Sequence, residues 1–127
     1  MAGSIDNLKQ RLARTRQIKV SVIGRKSGVT ISIPVWFVLE GDNLYLLPVT
    51  GSDTQWFRNL EYNRFIGIGS GGLEASFKAR LVRDSAVVKS VVEKFRTKYS
   101  AAQVKQYYSK FDAAVLVKLS EPSSAAA

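Results

Sequence analysis

Between residues 29 and 39 apolar side chains fall on every second position: Val29, Ile31, Ile33, Val35, Phe37 and Leu39. Period-two alternation is what a pleated strand needs to present one apolar face. The intervening residues Thr30, Ser32, Pro34, Trp36 and Val38 form the other face, which is neither ordinary core nor ordinary solvent surface. Hydroxyls, a proline without an N–H and a tryptophan suit a planar, partly polar ligand, although a plain sheet edge also explains the proline. The preceding run, 18–23, alternates too, with Ile18, Val20 and Val22 on one side. Between the two runs lies 24–28 (GRKSG), whose terminal glycines suit the positive φ of a tight turn. The pattern predicts a hairpin with Arg25 and Lys26 at its tip.

The rest of the chain is read the same way. Residues 4–14 form a short amphipathic helix, with Ile5, Leu8 and Leu12 on one face. Gly41, Asp42 and Asn43 turn the chain into a strand over 44–49, and 50–54 is a polar loop. A helix over 54–62 follows, with Trp56 and Leu60 four apart. Ser52 and Gln55 fit a capping box, with Asp53 and Thr54 as alternative caps. Anions bind at such helix starts, and Thr50, Gly51 and Ser52 would add hydroxyls and a close backbone; an ordinary cap is the plainer reading.

Strands over 64–70 and 73–83 flank the turn Gly71-Gly72, and the second alternates Leu73, Ala75, Phe77, Ala79 and Leu81 against polar residues. Asp84 or Ser85 caps a helix whose stripe of Val87, Val88, Val91, Val92 and Phe95 reads as core. A helix over 101–110 carries Tyr107 and Tyr108, which point about 100° apart, so one can be buried while the other reaches a cleft. A closing strand spans 112–119, and 121–127 reads as a frayed tail. Together these elements predict a single mainly β (α+β) domain over 1–120, with about six antiparallel strands in a small closed or half-open barrel.

Composition narrows the chemistry. At 127 residues and 46% hydrophobic content the chain is globular and long enough for a real core. Its longest apolar run is too short to cross a bilayer, and its start shows no signal pattern, so a cytoplasmic protein is the default expectation. It has no cysteine and no histidine, which excludes Ser-His and Cys-His catalysis and leaves only scattered carboxylates as metal ligands. An enzyme so equipped would take its hard chemistry from an organic cofactor. The net charge of +9, concentrated in residues 1–30, favours an anionic partner, although a basic solvated surface accounts for it equally well.

The turn 24–28, the run Pro34-Val35-Trp36-Phe37, the stretch 41–46 and the stretch Trp56-Phe57-Arg58-Asn59-Leu60 together resemble, in order and spacing, the deazaflavin-dependent nitroreductase family. These are split-barrel proteins related to the pyridoxamine-phosphate oxidase-like flavin binders. The resemblance implies a six-stranded split β-barrel that binds coenzyme F-420 and passes a hydride to quinones, nitroaromatics or activated alkenes. Arg25, Lys26 and Ser27 would meet the anionic tail. Ser32, Pro34 and Trp36 would line the deazaflavin, with Pro48, Val49 and Thr50 alongside. Gln55, Trp56, Arg58 and Asn59 would close the phosphate and ring side. Tyr107 or Tyr108 falls where the family places a substrate-facing tyrosine. The loop 50–55 is shorter than the family's and lacks its lysine, which leaves FMN open as the alternative cofactor.

Two other readings compete. One is a cofactor carrier of the same fold without turnover. The other is a basic barrel that stacks nucleic-acid bases on Trp36, Trp56 and the tyrosines, but the chain lacks the dense interleaving of basic and aromatic residues which that requires. Split barrels commonly pair, and exposed strand faces here would allow a homodimer.

Overall fold

Strands β5 (Leu73–Lys78) and β6 (Arg80–Val82) are consecutive, with only Ala79 between them, yet they occupy opposite ends of the sheet order β5-β4-β1-β2-β3-β7-β6. A flat sheet cannot satisfy both facts. The sheet must curl until its two edges meet at Ala79, which is buried and donates its N–H to the Arg64 carbonyl at 2.8 Å. The remaining strands are β1 (Gln17–Ile23), β2 (Thr30–Glu40), β3 (Asn43–Leu46), β4 (Phe65–Ser70) and β7 (Ala114–Lys118), and every pairing is antiparallel. Among the described residues four α-helices flank them: α1 (Ala2–Leu12), α2 (Gln55–Tyr62), α3 (Ser85–Tyr99) and α4 (Ala101–Tyr107). The computed structural model describes residues 2–122.

The architecture is the mainly antiparallel split barrel anticipated, with seven strands in place of six. The extra strand comes from the single run foreseen over 73–83. It breaks at Ala79 because that residue turns inward to pass from one half of the sheet to the other. Of the tail foreseen at 121–127, residues 123–127 lie outside the described residues, while Glu121 accepts from Arg80 and Pro122 bridges to Phe77. Among the described residues no helix is long and apolar enough to cross a membrane.

β2 belongs to both halves of the sheet. Its residues 30–36 pair with β1, and 37–40 pair with β3. Phe37, Leu44, Leu46, Ile66, Ile68, Val115 and Val117 fill the barrel, closed by α1 through Leu8 and Leu12 and by α2 through Phe57 and Leu60. A second core forms where Val88, Val91, Val92, Phe95 and Tyr99 of α3 pack on Val38, Leu47 and Ala114. The stripe of α3 is therefore core, as its pattern implied, except that Val87 is exposed. On β2 the expected apolar face is fully buried at Phe37, while Ile33, Val35 and Leu39 are half-buried against the core. Val29 and Ile31 stand in solvent because the hairpin tip projects beyond the barrel.

Asp84 caps α3 by accepting from the N–H groups of Ala86 and Val87. At α2 the capping box does not form. Thr54 occupies the cap position without a side-chain cap bond, and Ser52 is engaged elsewhere.

Candidate functional site

At Trp36 the ladder between β1 and β2 runs out, because β1 begins at Gln17 while β2 continues. The Phe37 backbone would be left with buried, unpaired groups there. Tyr99, at the end of α3, supplies the partners. Its phenolic oxygen accepts from the Phe37 N–H at 3.1 Å, donates to the Arg16 carbonyl at 2.6 Å, and has the Phe37 carbonyl 2.9 Å away. Burial raises the Tyr99 pKa above the ordinary tyrosine value, so the phenol keeps its proton.

With its hydroxyl fixed, the Tyr99 ring lies flat on Trp36, at 4.3 Å between centroids and 6° between planes. Tyr107 meets the indole edge-on at 5.1 Å, and Tyr108 is tilted at 6.1 Å. Contacts of these kinds are worth about 0.5–1.5 kcal/mol each beyond the area they bury. Trp36 is thereby held in one orientation by groups on two helices.

Beside it opens a cavity of about 600 Å³, within the range of small-molecule sites. Of the residues singled out in the sequence, Pro34, Trp36, Val49, Trp56, Tyr107 and Tyr108 line it. Gln17, Ile33, Val35, Leu47 and Thr54 complete the polar and apolar wall, and among the described residues no charged side chain does. The two tyrosines divide as the helix geometry required: Tyr108 is 5% exposed and Tyr107 is 53% exposed. Burial pushes the Tyr108 phenol well above the ordinary tyrosine range.

Ser32 is not in this cavity. Its hydroxyl is 2.8 Å from that of Ser21, and it lines an adjoining groove of about 670 Å³ that shares Gln17, Ile33 and Pro34 with the cavity. Pro48 is buried and accepts the Gly51 N–H at 3.1 Å.

The hairpin tip reaches α2. Arg25 donates its backbone N–H (3.1 Å) and its Nη1 (2.8 Å) to Asn59 Oδ1, and its Nη2 to Gln55 Oε1 at 2.8 Å. Asn59, 5% exposed, serves to fix the arginine. Both partners are neutral amides, and among the described residues no carboxylate forms an ion pair with Arg25 or Lys26. Ser27 Oγ accepts the Val29 N–H at 3.2 Å and shapes the turn.

The loop 50–54 is arranged differently. Ser52 donates its N–H (2.8 Å) and its hydroxyl (2.5 Å) to the Asp112 carboxylate. Gly51, at φ +57°, lies so close to Asp112 that a Cβ would collide with the carboxylate. Thr50 bonds to Thr54, its N–H donating to Oγ1 at 2.9 Å. Arg58 pairs with Asp53 at 3.0 Å, and Lys110 pairs with Asp53 at 3.0 Å and Asp112 at 3.7 Å. The anion place foreseen at Thr50, Gly51 and Ser52 is thus filled by the chain's own carboxylate.

Sequence reasoning missed Tyr99, Asp112 and Lys110. Tyr99 continues the α3 stripe four residues after Phe95, which was a usable signal. Asp112 gave none, because its partner Ser52 is 60 residues away.

A seven-stranded antiparallel sheet curled on itself, with a ligand-sized uncharged cavity at the crossover of β2, places the chain in the split-barrel class of folds. A family model described as "Uncharacterized protein conserved in bacteria (DUF2255)" matches residues 8–119, and the chain belongs to that family. A search of curated proteins found no match. Several solved structures share the fold at low identity. A structure described as an F-420-H2 dependent reductase (FDR-A) is 17% identical, with a TM-score of 0.63 over 81% of this chain and 94% of that one. HutZ, described as a heme storage protein from Vibrio cholerae, is 15% identical, with a TM-score of 0.67 over 93% and 89%. A putative 5-nitroimidazole antibiotic resistance protein from Bacteroides thetaiotaomicron is 13% identical, with a TM-score of 0.65 over 89% and 78%.

Proposed function

We propose that the protein is a deazaflavin- or flavin-dependent oxidoreductase, transferring a hydride from reduced coenzyme F-420 to a quinone, nitroaromatic or activated alkene, with FMN as the alternative cofactor. The observation that carries this reading is the uncharged aromatic cavity around Trp36, with the uncompensated charge of Arg25 held at the start of α2, whose Trp56 lines that cavity. A flat apolar ring joined to an anionic tail fits such a pair of sites. When bound, the reduced ring supplies the hydride.

The chain's own residues bind, orient and exclude water. Trp36, clamped between Tyr99 and Tyr107, offers a fixed planar surface, and Pro34 brings no N–H into the cavity. Thr54 and Gln17 are the polar groups that would fix the ring's orientation. Tyr108 keeps its proton at Oη, and Tyr107 stands exposed at the mouth, where an acceptor would enter. Hydride transfer demands positioning more than an acid–base pair, which suits a cavity without carboxylates or histidine.

Heme is the cargo in the HutZ description, but this chain offers neither histidine nor cysteine as an iron ligand. The test is parallel titration with F-420, FMN and hemin, read by the fluorescence of Trp36 and Trp56 and by cofactor absorbance, followed by an acceptor panel on the reduced form. Deazaflavin or flavin binding with acceptor-dependent oxidation supports the proposal. Binding without oxidation makes the protein a carrier, and saturation by hemin alone overturns the reading.

A further inference from the structure

A cavity of about 610 Å³ lies between the end of α1, β2 and α3, where Ala13 and Leu39 give it an apolar wall over the fully buried Leu12 and Phe37. Lys98, near the end of α3, stands in it with Nζ 3.6 Å from the Phe37 ring centroid and 2.9 Å from the Phe37 carbonyl oxygen, to which it donates. Lys9, Lys19, Lys94 and Lys110 each pair with a carboxylate, whereas Lys98 forms no ion pair among the described residues. The acids of this cavity are already engaged: Glu40 pairs with Lys94 and Glu93 with Arg96. The other charge facing Lys98 is the Arg16 guanidinium, which packs over the same Tyr99 ring at 5.0 Å, against 5.1 Å for the amine.

We propose that Lys98 is a covalent capture site for apolar aldehydes. The amine lone pair forms a bond to the carbonyl carbon, and the carbonyl π pair moves to oxygen, which takes a proton from nitrogen. Loss of that hydroxyl with the second N–H proton releases one water and leaves an imine, with no change of oxidation state. The aldehyde's apolar body lies along Ala13 and Leu39, and a proton taken up from water gives the imine nitrogen one N–H for the Phe37 carbonyl.

Burial and the Arg16 charge support this reactivity, since they bring the amine's pKa down from 10.5 to about 8. At neutral pH that leaves about 300-fold more free amine than on an ordinary lysine. The site is separate from the aromatic cavity and does not depend on the function proposed above.

The experiment incubates the full chain with hexanal and cyanoborohydride near neutral pH and maps the alkylated peptides by mass spectrometry, which also separates the lysines from the α-amino group. Lys98 should react about tenfold faster than Lys9, Lys19, Lys94 or Lys110, and its rate should level off above about pH 8. Acetaldehyde, too short to use the apolar wall, should show a smaller preference. Labelling that follows surface exposure, or a Lys98 rate that keeps rising to pH 10 with the others, overturns the proposal. These readings come from the wild-type chain. A Lys98→Arg variant, compared by circular dichroism, should lose the fast-labelled peptide alone.

Discussion

Arg25 and Arg58 both bond to groups around the start of α2, yet their charges meet opposite fates. Arg25 is held by the amide oxygens of Gln55 and Asn59, and Arg58 by the Asp53 carboxylate. The same division runs through the two halves of the site. On the Trp36 side the Phe37 N–H and the Arg25 guanidinium are held by neutral groups, the Tyr99 phenol and two amides. On the side of loop 50–54, beside the Thr50–Thr54 bond, the bonds come from ions, Asp53, Asp112, Lys110 and Arg58. Amides orient a guanidinium without cancelling its charge, whereas a carboxylate does both. Availability of charge, more than its amount, separates a place for an anionic ligand from a stapled loop.

The sharpest way to break this comparison is to neutralise each cation. Replacing Arg25 and Lys26 together by alanine should weaken coenzyme binding about 10- to 100-fold by titration, the cost of losing a charge-assisted contact. Arg58→Ala should cost under about threefold, because its charge is already matched by Asp53. Equal losses in the two variants would erase the distinction.

Tyr99→Phe comes next. It removes the hydroxyl that accepts the Phe37 N–H while keeping the ring stacked on Trp36. A loss of about 2 kcal/mol in urea unfolding is expected for an orphaned buried donor, with the cavity's fluorescence little changed.

Acid should separate the two halves. The Ser52 hydroxyl bond holds the Asp112 carboxyl below its ordinary value, and hydrogen bonds from Lys110 and then Arg58 do the same for Asp53. A carboxylate lowered on folding stabilises above its unfolded pKa, and that contribution is lost as pH falls through the folded value. The Ser52 amide resonance should therefore titrate below about pH 4, while Trp36 and the Arg25 contacts stay fixed. In Asp112→Asn the Ser52 step should vanish. A coincident transition at Trp36 would show that the halves are coupled. The smallest effect is expected from Tyr107→Phe, which keeps the edge-on ring and should change coenzyme affinity by less than about twofold.

Much of the fold was legible because its signals are local. The alternation of 29–39 and 18–23 marked the hairpin, and the α3 stripe marked its buried face. The aromatic lining was legible in part: Pro34 and Trp36 share a strand face by period two, and Tyr107 and Tyr108 diverge by helix geometry. Ser32 follows the same alternation but opens to the neighbouring groove, because its hydroxyl is drawn to Ser21 across the hairpin.

By itself, then, the sequence determined the hairpin 18–39 with two cations at its tip, the core faces, and the uncharged character of the residues around Trp36. Tertiary structure alone decided which cations keep their charge. It brought Gln55 and Asn59 up to Arg25 across 30 and 34 residues, and Asp112 to Ser52 across 60. It also broke the 73–83 run at Ala79 so that the sheet could close. The physical reason is common to all three. Periodicity reports which face of an element is apolar, but a partner far along the chain is chosen by closure of the barrel, and closure leaves no mark on local pattern.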